Sequence, residues 1–449
     1  MRSANLLFTL VFVVLFTSCQ EEKVPAPFKP RNDHEAYQHS LEQANLLATA
    51  LGVEWQESAE KSLESPITVK APYEEAFYLD PREARAVSYQ FAAKRGQKIH
   101  VVFAQISKDS SQLFVDLYRV NDDKKFRHVA TADKENHMLG FEPRADAEYV
   151  LRFQPELLRG GQFKVTIQNV PTLEFPVTGK TARSIGSVWG DPRDGGRRKH
   201  EGVDIFAKRG TPVVAPTKGY VRFVGERGIG GKVVWLYDAK RGQSLYFAHL
   251  NELIAKQGTY VEPGDTLGTV GNTGNARTTP PHLHFGVYKN GAVNPFFYLQ
   301  EPPAKVRKVG TDIGLLGDYA RLNRNARMKT DLTKKGYQAS LSKNEITRIL
   351  AINRDAYRVQ LTNGEQGYVS KRYLTGSSVP IETLALTEEG DLLKRPDEQT
   401  FSSLLAPGDE LAVLGRHEDY WFVRNDQGQT GWITEDQKRA QRALSDRPD

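Results

Sequence analysis

Residues 197–221 read RRKHEGVDIFAKRGTPVVAPTKGYV, and two folds compete for them. In the first, His200 and residue 204 share one face of a helix and Glu201 acts as general base, the layout of an H-E-x-x-H metal site. The residues argue against it. Position 204 is Asp rather than His, and Gly202 with the β-branched Val203 and Ile205 disfavours a helix. In the second, the segment is extended. Side chains two apart then point the same way, so His200, Gly202 and Asp204 share a face. Gly202 leaves space between the two flanking metal ligands. The extended reading predicts a β-rich domain.

The stretch PPHLHFGVY, Pro280–Tyr288, supplies a second strand. His282 and His284 lie on one face, while Phe285 and Val287 point toward a core. His200, Asp204 and one histidine of this pair make a three-ligand N,O site with an open position, the layout of catalytic zinc. A third histidine, His249, ends the aromatic strand in SLYFAHLNEL. Beside such a site it is placed to act on the reacting group. Four of the ten histidines lie within 172–299, which marks this part as the chemical domain.

Taken in order, these elements resemble the lysostaphin-type (LytM-like, β-lytic) zinc peptidases. The matching elements are His200-x-x-x-Asp204, Tyr246-x-Ala248-His249-Leu250, Gly271-x-Thr273-Gly274 and His282-Leu283-His284-Phe285, with the hairpin GTPVVAPTKGYV and the segment VEPGDTLGTVGNTG. The resemblance spans about 175–299. It implies one Zn2+ held by His200, Asp204 and His284, catalytic roles for His249 and His282, and endopeptidase action on peptidoglycan peptides. The chain departs from the pattern in two places. Gly286 stands where many relatives carry Glu, and the approach segment VWGDPRDGGRRK differs from the commonest form. The rim loop NTGNARTTPP offers Asn272 and Arg277 as contacts for an anionic peptide. The alternative reading is a catalytically silent, wall-binding lipoprotein that activates another hydrolase. Retention of all five site residues favours the enzyme.

The rest of the chain reads as mainly β and multidomain. Its 449 residues are too many for one core, and with 39% hydrophobic residues it is not a disordered chain. The formal charge of +6 comes without a Lys/Arg block interleaved with aromatics, so nucleic acid is not expected as a partner. Residues 1–19 read as a lipoprotein-type signal. Arg2 precedes the apolar run Leu6–Phe16, too short to span a bilayer, and LFTSC resembles a bacterial lipobox ending at Cys19, the single cysteine. A lipidated Cys19 would anchor the chain in the cell envelope, on the outer membrane.

Residues 20–32 form a Pro-rich tether and 33–66 a helical segment, with one amphipathic helix expected over Asp33–Leu51. Residues 67–170 alternate as a β-sandwich accessory domain, and 171–300 form the Gly-rich antiparallel β peptidase domain. An internal repeat follows. DAYRVQLTNGEQGYV (Asp355–Val369) aligns without a gap on DYWFVRNDQGQTGWI (Asp419–Ile433). It predicts two copies of one small unit, similar to bacterial SH3-like barrels, over 307–376 and 379–438.

Overall fold

A computed structural model describes residues 29–438 except 108–110, 301–308, 310–312, 334–335 and 397–400. The signal, Cys19 and most of the tether lie outside the described residues. The chain is mainly β, built from several antiparallel sheets. The helical segment is two helices, Asp33–Gln43 and Ala50–Glu64, rather than one helix running through Leu51. Asn45 takes φ +56° and breaks the run. The Thr49 side chain then caps a new start by accepting from the Gly52 N–H.

Residues 67–171 form two sheets packed face to face. Phe77, Tyr89, Phe91, Phe153, Phe163 and Ile167 fill the space between them. Every second residue of Gly161–Pro171 is buried at its centre, the period-2 signature of a strand with one covered face. The helices cover one end through Trp55, which is 1% exposed and donates from its indole N–H to the Pro155 carbonyl. His34 stacks on Trp55 and bonds Gln154 at 2.6 Å. Burial pushes the His34 pKa down from 6.5 to about 4. A depressed histidine stabilises the fold above pH 6.5, and that contribution is lost as pH falls toward 4. The loss is about 3 kcal/mol at most. The expected result is release of the helical pair near pH 4–5, seen as Trp55 exposure, and a weaker acid transition in His34→Phe.

The sandwich does not end at its own edge. Strand Tyr73–Leu79 pairs on one side with Gly161–Pro171 and on the other with Ile346–Ile352, through Ala76↔Ile352 and Phe77↔Ala351. One continuous sheet therefore runs from the sandwich into the first repeat unit. The two repeat stretches fold as matching hairpins, Ala356–Gln360 with Gln366–Ser370 and Tyr420–Arg424 with Thr430–Thr434. Gly364 and Gly428 take φ +86° and +79° at their turns. Each unit encloses a small core of its own.

The third body, about 173–299, centres on an eight-stranded sheet among the described residues. Strands Val203–Phe206, His282–Tyr288, Gln243–Ala248 and Lys232–Asp238 lie side by side in that order. Their inward residues, among them Val203, Leu283, Phe285, Phe247 and Leu236, are fully buried. Their outward residues face a cleft. This body sits on the sandwich through Arg241, which bonds both Glu142 carboxylate oxygens at 2.8 and 3.0 Å. The Tyr298 ring also lies over Gly96, where a Cβ would come within 2.4 Å of it.

Candidate metal centre

The antiparallel register places residues from distant parts of the chain in rows across the outward face. Asp204 pairs with His284, and His284 with Ala248. One step along, Phe206 pairs with His282. The segment before Asp204 is extended, not helical, and it brings His200 alongside. His200 Nε2, Asp204 Oδ1 and His284 Nδ1 form a triangle with every side 3.0 Å. Donors about 2.0–2.1 Å from a tetrahedral zinc lie about 3.3 Å apart, so the set fits that ion. The small Ala248 leaves the space above the row open.

Three features hold the donors. His200 Nδ1 lies 2.9 Å from the Val188 carbonyl, which can only accept, so Nδ1 carries the proton and Nε2 keeps its lone pair for a metal. Asp204 turns Oδ1 to the histidines while Oδ2 accepts from Arg193 at 2.7 Å. Burial alone would raise the Asp204 pKa, but the His200 and His284 rings beside Oδ1 outweigh it and hold the carboxyl far below its ordinary range. Burial lowers the His284 pKa, which favours the neutral ring that metal ligation needs. Gly202 supplies room. A Cβ there would lie 2.6 Å from His284 Cε1 and 2.7 Å from the Phe285 carbonyl oxygen. Gly202→Ala must therefore displace the ring, and zinc affinity is expected to fall at least about tenfold in a competition titration with a chelating dye.

His249 and His282 flank the triangle. His249 follows its strand with φ +63°, a conformation that a non-glycine residue adopts only when its surroundings enforce it. Here they do. Its backbone N–H donates to the Gly230 carbonyl and its Nδ1 to the Thr273 carbonyl, both at 2.9 Å. His282 Nδ1 donates to the Pro280 carbonyl at 2.9 Å. In the neutral form of each ring the lone pair therefore lies at Nε2. The ring centroids lie 5.1 Å apart. Burial pushes the His249 pKa down to about 4, so this ring rests neutral.

The five residues expected from the sequence thus meet in one cleft of about 910 Å³. The two rim candidates do not line it. Asn272 accepts from Arg209 at 2.6 Å and donates back to the loop carbonyls of Arg277 and Thr279, so it braces the loop. Asn275, Thr279 and Pro280 form that rim instead. Arg193 escaped the sequence reading. The available signal was its position in the approach segment that departs from the common form.

Residues 198–295 match the model of peptidase family M23. This part of the chain is an M23 peptidase domain. Peptidases of this family are zinc-dependent, and the domain carries a donor set that fits the ion. Among curated relatives, the L-Ala–D-Glu endopeptidase of Bacillus subtilis is 44% identical over 124 residues, covering 26% of this chain and 38% of that protein. The DD-carboxypeptidase/endopeptidase Mpg of Neisseria meningitidis is 42% identical over 99 residues, covering 22% of each. The chain thus spans 38% and 22% of the length of these relatives. Among solved structures, the catalytic domain of lysostaphin from Staphylococcus simulans is 31% identical with a TM-score of 0.23, covering 25% of this chain and 91% of that one.

Proposed function

We propose that the chain is a zinc metalloendopeptidase that hydrolyses peptide bonds in the cross-links or stem peptides of bacterial peptidoglycan. One observation carries this reading. His200, Asp204 and His284 meet as a complete three-donor set beside two histidines whose Nδ1 atoms are held by carbonyls, in an open cleft. An activator that only binds would need neither the donor triangle nor the strained His249. The names of the relatives, an L-Ala–D-Glu endopeptidase and a DD-carboxypeptidase/endopeptidase, support the substrate class.

In this reading His200, Asp204 and His284 hold one zinc ion. When bound, the zinc lowers the pKa of a water toward neutrality and polarises the scissile carbonyl. The chain's own residues do the rest. Because Nδ1 of His249 and of His282 is committed to a carbonyl, each ring begins as a base at Nε2. His282 Nε2 accepts the proton of the attacking water. The imidazolium so formed gives that proton to the leaving amine, and the Pro280 carbonyl keeps the ring in place throughout. His249, neutral at rest, accepts a hydrogen bond from the attacking water at Nε2 and so orients it. Arg193 is a positioning residue that keeps Oδ1 of Asp204 turned inward.

The flanking units fit an envelope enzyme. We assign Cys19 as a lipid anchor, 20–32 as its tether and the two repeat units over 307–376 and 379–438 as SH3-like domains. The cell envelope, at the outer membrane, is then the place of action. Among the described residues no helix is long and apolar enough to cross a membrane. The test is digestion of purified peptidoglycan by the chain lacking residues 1–19, with and without a chelator, read by mass spectrometry. New peptide ends that vanish with chelator are expected. Zinc-loaded protein that sediments with the wall yet releases no fragment would replace this reading with the activator.

A further inference from the structure

The outward face of the catalytic sheet continues past the metal row. Two residues beyond His284 on the same strand comes Gly286, which pairs with Tyr246, which in turn pairs with Trp235. Two further on comes Tyr288. Gly286 has no side chain, so the Tyr288 ring leans into the gap. A Cβ on Gly286 would lie 2.9 Å from Tyr288 Cε2. Trp235 lies 4.5 Å from Tyr246 and 5.1 Å from Tyr288 between ring centroids. Tyr246 in turn stands 5.9 Å from the His284 ring.

These three rings are not core. The inward side of the same strands is filled by Val234, Leu236, Phe247 and Phe285. The rings are only partly buried, and all three line the cleft that holds the metal donors. Three joined aromatic faces in a cleft are a platform for a flat apolar surface. Peptidoglycan consists of amino-sugar strands bearing short peptides. Of its parts, the pyranose ring presents such a surface of C–H groups, with polar substituents around its edge for the tyrosine hydroxyls. Two strand residues, about 7 Å, separate the Gly286 row from the metal row. That is the length of about two peptide residues.

We infer that Trp235, Tyr246 and Tyr288 form a shelf for an amino-sugar ring, so that the enzyme prefers stem peptides still attached to glycan and cuts close to the attachment point. The inference rests on the reading of the chain as a peptidoglycan peptidase. Gly286 is the residue that creates the shelf, since Glu at this position would displace Tyr288.

The test compares kcat/KM for a disaccharide-linked stem peptide with that for the same peptide freed of sugar. Wild type is expected to favour the sugar-linked form about tenfold or more. Tyr288→Ala and Gly286→Glu are each expected to bring the ratio close to one, in protein that still binds one equivalent of zinc. A wild-type ratio near one, or a ratio that survives in both variants, overturns the shelf. If zinc-loaded wild type cuts neither substrate, the peptidase reading fails. Calorimetric titration with a β-1,4-linked N-acetylglucosamine tetramer then decides the shelf by itself. Binding that Tyr288→Ala weakens at least tenfold supports it, and no binding at millimolar sugar overturns it.

Discussion

His284→Ala is expected to leave the chain folded, without zinc and without hydrolytic activity. The ring supplies one corner of a triangle whose other corners, His200 Nε2 and Asp204 Oδ1, lie 3.0 Å away. Two donors do not hold zinc in a site built for three. Losing the ion removes several kcal/mol of charge stabilisation, so the rate should fall by roughly 10³ or more. Metal analysis should drop from one zinc per chain to a small fraction of that. His249→Ala gives the contrast. It removes no donor, so zinc content should hold while the rate falls by roughly 10²–10⁴. Zinc-loaded His284→Ala with full activity would assign the ligand set wrongly. Equal zinc loss in both variants would make His249 a ligand rather than a base.

The largest effect on stability is expected far from the cleft, at Glu75. This carboxylate is 0% exposed, on the strand shared by the sandwich and the first repeat unit. It accepts from Tyr89 at 2.5 Å and Tyr73 at 2.9 Å, and it pairs with Arg358 of the repeat unit at 3.4 Å. Arg358 is itself 7% exposed, and its Nε has no hydrogen-bond partner. Glu75→Gln removes the carboxylate paired with this guanidinium. Breaking a buried pair from one side costs about 3–5 kcal/mol, because the remaining charge stays desolvated. Urea unfolding should show a matching fall in midpoint. Glu75→Leu with Arg358→Met should recover much of it, since an apolar pair leaves no charge stranded. A loss below about 1 kcal/mol in Glu75→Gln would mean that water reaches Arg358.

The contrast between these two regions explains what could be read from the chain alone. The meeting of the candidate donors on one face was legible because a strand has a period of two. Once residues 200–206 and 282–288 are taken as extended, His200, Asp204, His282 and His284 must face one way. The doubled turn chemistry around Gly364 and Gly428 was legible for a similar local reason. Pairings between distant segments were not. Nothing local in Tyr73–Leu79 says that its second edge meets Ile346–Ile352, more than 250 residues away. Nor does Arg193 announce Asp204, since a hairpin bend sets that contact. The break between the two N-terminal helices hinged on Asn45 and Thr49, whose capping role the apolar spacing of Leu41, Leu47 and Leu51 overrode.

The shared strand also governs how the protein can be divided. Cutting the chain after residue 300 would strip Ile346–Ile352 from Tyr73–Leu79 and bare the edge of that strand where Ala76 and Phe77 had been paired. Such an edge recruits another copy of itself. A fragment ending there should self-associate through this edge, and its sedimentation would report that stickiness rather than any property of the cleft. The catalytic unit is better isolated by removing the sandwich together with the repeats, which severs the Arg241–Glu142 and Tyr298–Gly96 contacts.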